Sequence, residues 1–344
     1  MVLLLTAPLA GATATAPAPP TPPPPLAERP SVADPSVVTA PSGLVAVTTG
    51  PNTPRLTAPA PAGPWTKAPA ALGSLPRWAT GAGIWAADLH QIGDRWLLYF
   101  SAPVGGLGAE GRCIGVAQSD TALGTFHPVG DRPLVCPLRA QALRGYDRGD
   151  NVSGVIDPSL FTDRDGRMWL SYKTQSRPAA LRIVRLNKSG RRTAWQDGRA
   201  RPSAELLRSA DIVENPVLMR RHRHYVLFYS RGDYRGCRYR TLWRRADSLE
   251  GLRLAKAKPL LTRASTGVCG PGGADAVRRG GLTELYFHGW VCAALGEAPT
   301  PPCPAGLHAD RDSHLEPRRV LYGARLEWTA SDRPRVAEYY TPAG

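Results

Sequence analysis

Three acidic residues stand in similar short motifs at widely separated points of the chain. Asp34 and Asp157 each begin Asp-Pro-Ser followed by two apolar residues, and Glu214 begins Glu-Asn-Pro-Val-Leu. Proline forces extended backbone on the residue before it and adds no N–H to a sheet, so we expect each acid at the mouth of a strand. Two carboxyl groups flanking a cavity can hydrolyse a glycosidic bond, one as a general acid and the other as a base or nucleophile. A third carboxylate raises the pKa of the acid through like-charge repulsion.

The elements that position these acids form a fivefold repeat. Asp88 and Asp275 extend the series, and each of the five acidic residues precedes a turn and a strongly β-forming run. Spacings of 54, 69, 57 and 61 residues between successive acids suit one four-stranded blade with its loops. We therefore predict an all-β fold, a five-bladed β-propeller, with an acid at the same place in every blade around one channel.

Composition agrees with a turn-rich β protein. The chain has 344 residues, with 35 Gly and 35 Pro punctuating short aromatic and β-branched runs. A long apolar pattern of helical period is missing, and only Ser203–Ser209 suggests a turn or two of helix.

The net charge of +15 comes mainly from arginine, since only 5 of the 43 basic residues are lysine. The arginines are scattered rather than concentrated on one element, which argues against nucleic-acid binding. Attraction to acidic polysaccharide is a better interpretation of this charge.

The amino terminus predicts export. Residues 1–16 resemble a signal peptide with A-x-A cleavage sites, although a basic first region is missing. Residues 17–30 are Pro-rich and predict an extended linker, which leaves residues 31–344 as the catalytic propeller domain. The first apolar stretch is too short to cross a bilayer, and we expect no membrane association.

Six cysteines without a CxxC pair suit an oxidising compartment and not a zinc site. Their spacing favours the pairs Cys113–Cys136, Cys237–Cys269 and Cys292–Cys303, although six cysteines allow fifteen pairings. Residues His222 and His224 have a spacing that could bind a metal, but a solvated basic turn is the simpler interpretation.

The motifs also carry a family resemblance over about residues 33–336. The chain resembles glycoside hydrolase family 43, five-bladed propeller enzymes that act on arabinose- and xylose-containing polysaccharides. The matching segments stand in family order: Asp34-Pro-Ser-Val-Val, Trp85-Ala-Ala-Asp-Leu, Gly154-Val-Ile-Asp-Pro-Ser-Leu-Phe, Val213-Glu-Asn-Pro, Gly270-Pro-Gly-Gly-Ala-Asp, Tyr286-Phe-His-Gly-Trp and Arg319-Val-Leu-Tyr-Gly-Ala. Ala33 and Ala87 depart from the usual family residues, which puts substrate contacts in doubt and leaves the acids intact.

The resemblance implies a role for each residue. Asp34 would be the general base of an inverting mechanism, Glu214 the general acid, and Asp157 the residue that orients the acid and raises its pKa. Inversion needs room for water, so the carboxyl groups of Asp34 and Glu214 should lie roughly 6.5–9.5 Å apart. The implied substrate-binding residues are Trp85, Asp88, His288 and Arg319, and the neighbouring Arg318 leaves the register of the last one open.

We therefore expect a secreted, monomeric glycosidase that acts on a polysaccharide or oligosaccharide, most simply an α-L-arabinofuranosidase. A β-xylosidase, an endo-arabinanase, a fructoside-active relative and a non-catalytic sugar-binding propeller are the alternatives. We expect no organic cofactor and no metal ligated by the catalytic set, while the resemblance leaves open a structural ion, such as calcium, near His288.

Overall fold

The computed structural model describes residues 18–137, 153–196, 199–200, 203–294, 303–312 and 314–343. Five antiparallel sheets form the blades of a β-propeller, as the repeat predicts, and each consists mainly of strands consecutive in the chain. The predicted signal peptide, residues 1–16, lies outside the described residues. No helix in the described part is both long enough and apolar enough to span a membrane.

The strands of each blade run outward from a central channel in chain order. Their bounds are Ser36–Ala40, Gly43–Val47, Arg55–Ala58 and Thr66–Ala68 in blade I; Gly83–Ile92, Arg95–Pro103, Arg112–Ser119 and His127–Pro128 in blade II; Val155–Thr162, Met168–Thr174, Ala179–Arg185 and Ala204–Ser209 in blade III; Val213–Arg221, His224–Arg231, Arg240–Ala246 and Lys258–Leu261 in blade IV; and Cys269–Arg279, Leu282–Ala294, Leu315–Trp328 and Pro334–Tyr339 in blade V.

Five smaller elements complete the described fold. Gly50–Pro51 adds a short strand to blade II, and Trp195–Gln196 pairs with Arg199–Ala200. A 3₁₀-helix covers Glu250–Arg253 and a single α-helical turn covers Arg263–Thr266.

The helical turn predicted near Ser203–Ser209 is wrong. Residues Ala204–Ser209 form the outermost strand of blade III and pair with Ala179–Arg185. Pairing with a neighbouring strand overrides the weak local helical preference of this segment.

Apolar side chains fill the space between neighbouring blades. Five buried clusters correspond to the five blade interfaces; one joins Val45 of blade I to Leu98 of blade II, and another joins Phe228 of blade IV to Phe287 of blade V. Packing between twisted sheets therefore supplies the core, and the channel is left for polar groups.

The chain ends close the ring between blades V and I. Leu26 N donates to Leu321 O at 2.7 Å and Val32 N donates to Arg319 O at 2.8 Å, which adds an edge segment to blade V. Leu26 and Ala27 are buried, so the last residues of the predicted linker pack against the propeller. At the carboxyl end, Ala343 N donates to Ala62 O of blade I at 2.9 Å.

The three disulfides are those favoured by spacing. Cys113–Cys136, Cys237–Cys269 and Cys292–Cys303 are bonded, and no described cysteine is free. Each ties a strand of a blade to a nearby segment, which limits the movement of loops.

Candidate active site

A left-handed residue interrupts the innermost strand in blades II to V and lies just before it in blade I. Its φ is 49° at Asp34, 42° at Ala86, 58° at Asp157, 50° at Asn215 and 57° at Gly273. In blades II to V the strand register shifts at this point. The extended backbone predicted before proline is therefore wrong for Asp34 and Asp157, because the bulge requires a conformation that Asp and Asn tolerate well.

The acids do not share one place in the repeat, which corrects that prediction. Asp34 and Asp157 occupy the left-handed position, Glu214 comes one residue before it, and Asp88 and Asp275 come two residues after it. The bulge changes the side of the strand toward which neighbouring side chains point. Acids from different positions of the repeat can therefore line one channel. We call Asp34, Asp157 and Glu214 the upper acids, and Asp88 and Asp275 the lower acids.

Asn215 and Tyr239 connect the upper acids. Asn215 N donates to Asp157 Oδ2 at 3.0 Å, and Asn215 Nδ2 donates to Asp34 Oδ1 at 3.3 Å. The Tyr239 hydroxyl lies 2.8 Å from both Asn215 Oδ1 and Glu214 Oε1. The structure thus brings Asp34, Asp157 and Glu214 into one hydrogen-bonded network, although they are far apart in the chain.

Asp34 retains contact with solvent. Its side chain is 17% exposed, and its Oδ2 accepts a 2.8 Å hydrogen bond from Thr49 Oγ1. Arg319 Nη1 lies 3.8 Å from the same oxygen, so Arg319 rather than Arg318 faces the acids. Two side-chain donors, Thr49 and Asn215, and a nearby guanidinium still leave lone pairs of this carboxylate available for a water or a sugar hydroxyl.

Asp157 and Glu214 form a more buried pair. Burial raises the pKa of Asp157 to about 7, and the negative charge of Glu214 adds to the rise while Lys173 opposes it. Lys173 Nζ donates to Glu214 Oε2 at 2.7 Å. Burial disfavours the charged form of Lys173, but the carboxylates of Glu214 and Asp157 outweigh it and raise the pKa of Lys173.

The lower acids bond mainly to protein groups. Asp88 accepts from Ser36 Oγ at 3.1 Å and from Leu160 N at 2.7 Å, and His90 Nε2 lies 2.9 Å from its Oδ2. Asp275 accepts from Val37 N at 2.8 Å. Both oxygens of Asp88 are engaged, and its substrate contact stays a prediction.

The channel beneath the upper acids is narrow. Residues of all five inner strands line a space of about 30 Å³. This volume suits water and not a sugar ring, so this part of the channel does not hold a sugar.

His288 is completely buried beside Asp34. Its Nδ1 accepts a 3.0 Å hydrogen bond from Asp34 N, and its ring stacks on Tyr239 at 5.8 Å between centroids. Burial, with the positive charge of Arg319, lowers the pKa of His288 well below its ordinary value. Gly273 makes room for it, because an added Cβ would lie 2.5 Å from His288 Nδ1 and 2.8 Å from Asp34 Oδ1.

A cation bound directly to His288 does not fit this arrangement. A neutral ring whose Nδ1 accepts a hydrogen bond carries its proton on Nε2, and a protonated nitrogen cannot ligate a metal. Among the described residues, Nε2 has no hydrogen-bond partner, and no group of three His, Cys, Asp or Glu could hold an ion. The donor at Nε2 suits a water or an anion instead.

Aromatic and basic side chains surround the upper acids. Arg112 lies over the Trp85 ring with its guanidinium carbon 3.0 Å from the centroid. Arg319 lies over Tyr234 at 5.1 Å and over Trp290 at 5.5 Å. Tyr234 is 40% exposed, so an aromatic face is available there to a sugar.

Sequence reasoning missed four residues of this network. Asn215 belongs to the Glu-Asn-Pro motif, but the motif gives it no role of its own. Thr49, Lys173 and Tyr239 stand outside any motif. Their contacts depend on how blades and strands pack together, which short motifs do not encode. One sequence signal was available for Lys173: it is a single charged residue in a segment, Met168–Thr174, whose apolar residues predict a buried strand.

The pair His222 and His224 lies apart from this network. Asp332 is buried between them: His222 Nδ1 lies 2.7 Å from its Oδ1, and His224 Nδ1 lies 2.7 Å from its Oδ2. They join the first hairpin of blade IV to the last hairpin of blade V.

Comparison with known proteins places the chain in a family. The model of Glycosyl hydrolases family 43 matches residues 32–292. The chain belongs to this family. This result confirms the family resemblance that the sequence motifs carry.

Curated relatives of this family 43 hydrolase include two proteins of Bacillus subtilis (strain 168). Extracellular endo-alpha-(1->5)-L-arabinanase 1 is 27% identical over 209 residues, which are 57% of this chain and 59% of that protein. Extracellular endo-alpha-(1->5)-L-arabinanase 2 is 30% identical over 102 residues, or 29% of this chain and 21% of that protein. The hydrolase thus spans between about a fifth and three fifths of the curated relatives it matches.

Solved structures resemble the family 43 hydrolase in fold. An exo-1,5-alpha-L-arabinanase from a bovine ruminal metagenomic library has a TM-score of 0.65 at 19% identity, covering 90% of this chain and 97% of that one. The alpha-L-arabinanase of Cellvibrio cellulosa has a TM-score of 0.66 at 19% identity, covering 91% and 99%.

Proposed function

We propose that this family 43 hydrolase cleaves α-L-arabinofuranosyl linkages of arabinan. The observation that carries the catalytic part is the hydrogen-bonded network joining Asp34, Asp157 and Glu214 through Asn215 and Tyr239. The substrate class is supported by the arabinanase activity named for its relatives.

In the proposed mechanism Asp34 is the general base. Its side chain is the most exposed of the upper acids, and its carboxylate oxygens can each accept a further hydrogen bond. It takes a proton from a water that attacks the anomeric carbon, on the face opposite the leaving group.

Glu214 donates the proton to the leaving oxygen. Tyr239 has one hydroxyl proton, and Asn215 Oδ1 can only accept, so Tyr239 donates to Asn215. The 2.8 Å contact between Tyr239 and Glu214 Oε1 is then satisfied when Glu214 carries a proton there. Lys173 holds the other oxygen of Glu214 and fixes the direction of the carboxyl group.

Asp157 keeps its own proton up to near neutral pH. Burial raises the pKa of Asp157 to about 7, and the negative charge of Glu214 adds to the rise. This acid–base scheme uses only protein groups and needs no organic cofactor.

Substrate binding above the acids involves Trp85, Arg319 and His288. Arg319 is placed to hydrogen-bond sugar hydroxyls beside Asp34, and Trp85 with its stacked Arg112 forms a wall on the side of blade II. His288 acts through Asp34, whose backbone it anchors.

Export to the extracellular space is part of the proposal. Three disulfides suit an oxidising compartment, and the curated relatives are named as extracellular. A monomer suffices, because one chain supplies every residue of the proposed site.

The proposal is tested by the products released from debranched α-(1→5)-L-arabinan and from xylooligosaccharides. We expect arabinose or arabino-oligosaccharides and no xylose. Arabinose alone from the start indicates exo action, and a ladder of oligomers indicates endo action. Release of xylose without arabinose would contradict the proposed substrate.

A further inference from the structure

A second cavity lies on the outer side of blade IV, behind Tyr239. It has a volume of about 780 Å³, within the roughly 300–1,000 Å³ typical of ligand pockets. Blade IV, the helical turn Arg263–Thr266 and Pro19 of the amino-terminal segment contribute to its walls. We call it the outer cavity.

The lining of the outer cavity is strongly basic. Its fourteen lining residues include five cations and no carboxylate: Arg231, Arg238, Arg240, Lys258 and Arg263. Arg231 is paired with Asp211. Across the described residues, no carboxylate lies within salt-bridge distance of the other four.

Arg263 is only partly satisfied by the protein. Its Nη2 donates to Cys303 O at 3.3 Å, while its Nη1 is buried and has no hydrogen-bond partner among the described residues. A guanidinium with an unused N–H retains capacity for a further acceptor, such as an anion that enters beside it.

The cations are spread along the cavity rather than focused on one point. Arg240 begins one strand, Lys258 begins the strand paired with it, and Arg263 follows in the next turn. A single phosphate could reach only some of these groups. An oligosaccharide with a carboxylate on each sugar carries several charges along its length, and Leu242, Ala257 and Pro259 provide apolar contact for sugar rings.

We propose that the outer cavity binds a carboxylate-bearing oligosaccharide, such as a uronate oligomer, separately from the neutral sugar that is hydrolysed. Tyr239 lines this cavity and also contacts Glu214, so the two sites are neighbours within one polymer's reach. Such a site would hold the hydrolase on an acidic polysaccharide that carries its substrate.

Isothermal titration calorimetry with trigalacturonate at about 20 mM NaCl tests the proposal, because low salt preserves charge attraction. We expect binding by the wild type that weakens at about 200 mM NaCl. The variant Arg240→Gln/Lys258→Gln, which removes two cations, should bind at least about tenfold more weakly. Arg263→Gln alone should weaken binding by a smaller factor.

Arg132→Gln is the matched control, since it removes an exposed charge of blade II far from the cavity. It should bind as the wild type does, and all variants should hydrolyse an aryl arabinofuranoside at the wild-type rate. Equal affinity of the wild type and Arg240→Gln/Lys258→Gln would overturn the site. Equal affinity for a neutral maltotriose, or phosphate binding as tight as trigalacturonate, would overturn the proposed ligand. Because binding is read without hydrolysis, these results do not depend on the proposed substrate.

Discussion

At the scale of single residues, the site depends on side chains that touch two acids at once. Asn215 joins Asp34 to Asp157, and Tyr239 joins Asn215 to Glu214. Each contact restricts the proton positions that the network allows. The acids therefore act as a connected set rather than as three independent carboxyl groups.

Tyr239→Phe should lower kcat by about tenfold to a hundredfold, because it removes the hydroxyl that holds Glu214 Oε1. The pH profile of kcat should also shift, since the acid loses a hydrogen-bond partner. Tyr322→Phe is the control: Tyr322 is equally buried, and its hydroxyl has no partner among the described residues. A pH profile unchanged in both variants would show that Tyr239 has only a packing role.

Asp275 should make the protein less stable as pH rises. Burial raises the pKa of Asp275 to about 7, and the charge of Asp88 contributes. The unfolded value is near 3.8, so the folded state binds this proton more tightly. The stabilisation is complete below about pH 4 and is lost as pH rises to about 7.

Asp275→Asn cannot ionise, and its free energy of unfolding should fall less between pH 5 and pH 7 than that of the wild type. We expect a difference on the order of 1 kcal/mol in urea titrations. Asp131→Asn, at an exposed site, should follow the wild type. If the free energy of unfolding of Asp275→Asn fell as steeply between pH 5 and pH 7 as that of the wild type, this assignment would be refuted.

At the scale of elements, the acids are placed around a left-handed residue that all five blades share, within a bulge of the inner strand in blades II to V. Gly273 occupies the left-handed position in blade V, where any side chain would meet His288 and Asp34. The residue type at this position decides whether a blade contributes a carboxylate, an amide or open space.

Gly273→Ala should lower kcat by roughly a hundredfold, because the added methyl group displaces Asp34 and His288. Gly280→Ala is a matched control with φ of 54° at the same kind of backbone and nothing within 4 Å of the added Cβ. Both should lose stability of about 1 kcal/mol from backbone strain. Activity measurements that found both variants equally active would contradict the steric account.

The sequence predicted the elements better than their registers. Repeated acid–turn–strand units identified five blades and the upper acids, since local patterns encode strands and turns. The left-handed residues were not predicted, because a proline after Asp or Asn is compatible with extended as well as left-handed backbone at that residue. Asn215, Lys173 and Tyr239 escaped because their roles arise from contacts between distant segments.

At the scale of the whole molecule, closure of the ring determines the site. Asp34 follows the segment that pairs with blade V, and its backbone N–H is held by His288 of that blade. Blades I, III and IV then supply one acid each, so the site exists only when the ring is closed. The three disulfides and the basic outer cavity are consistent with the proposed action on extracellular polysaccharide.

The central claim is that Asp34 and Glu214 converge to act as base and acid. The most direct test compares kcat/KM of Glu214→Gln and Asp34→Asn on arabinofuranosides with good and poor leaving groups. Glu214→Gln should lose about a thousandfold or more on poor leaving groups and much less on activated aryl glycosides, which need little proton donation. Asp34→Asn should be defective on both. Equal losses of Glu214→Gln on the two substrate types would contradict the account.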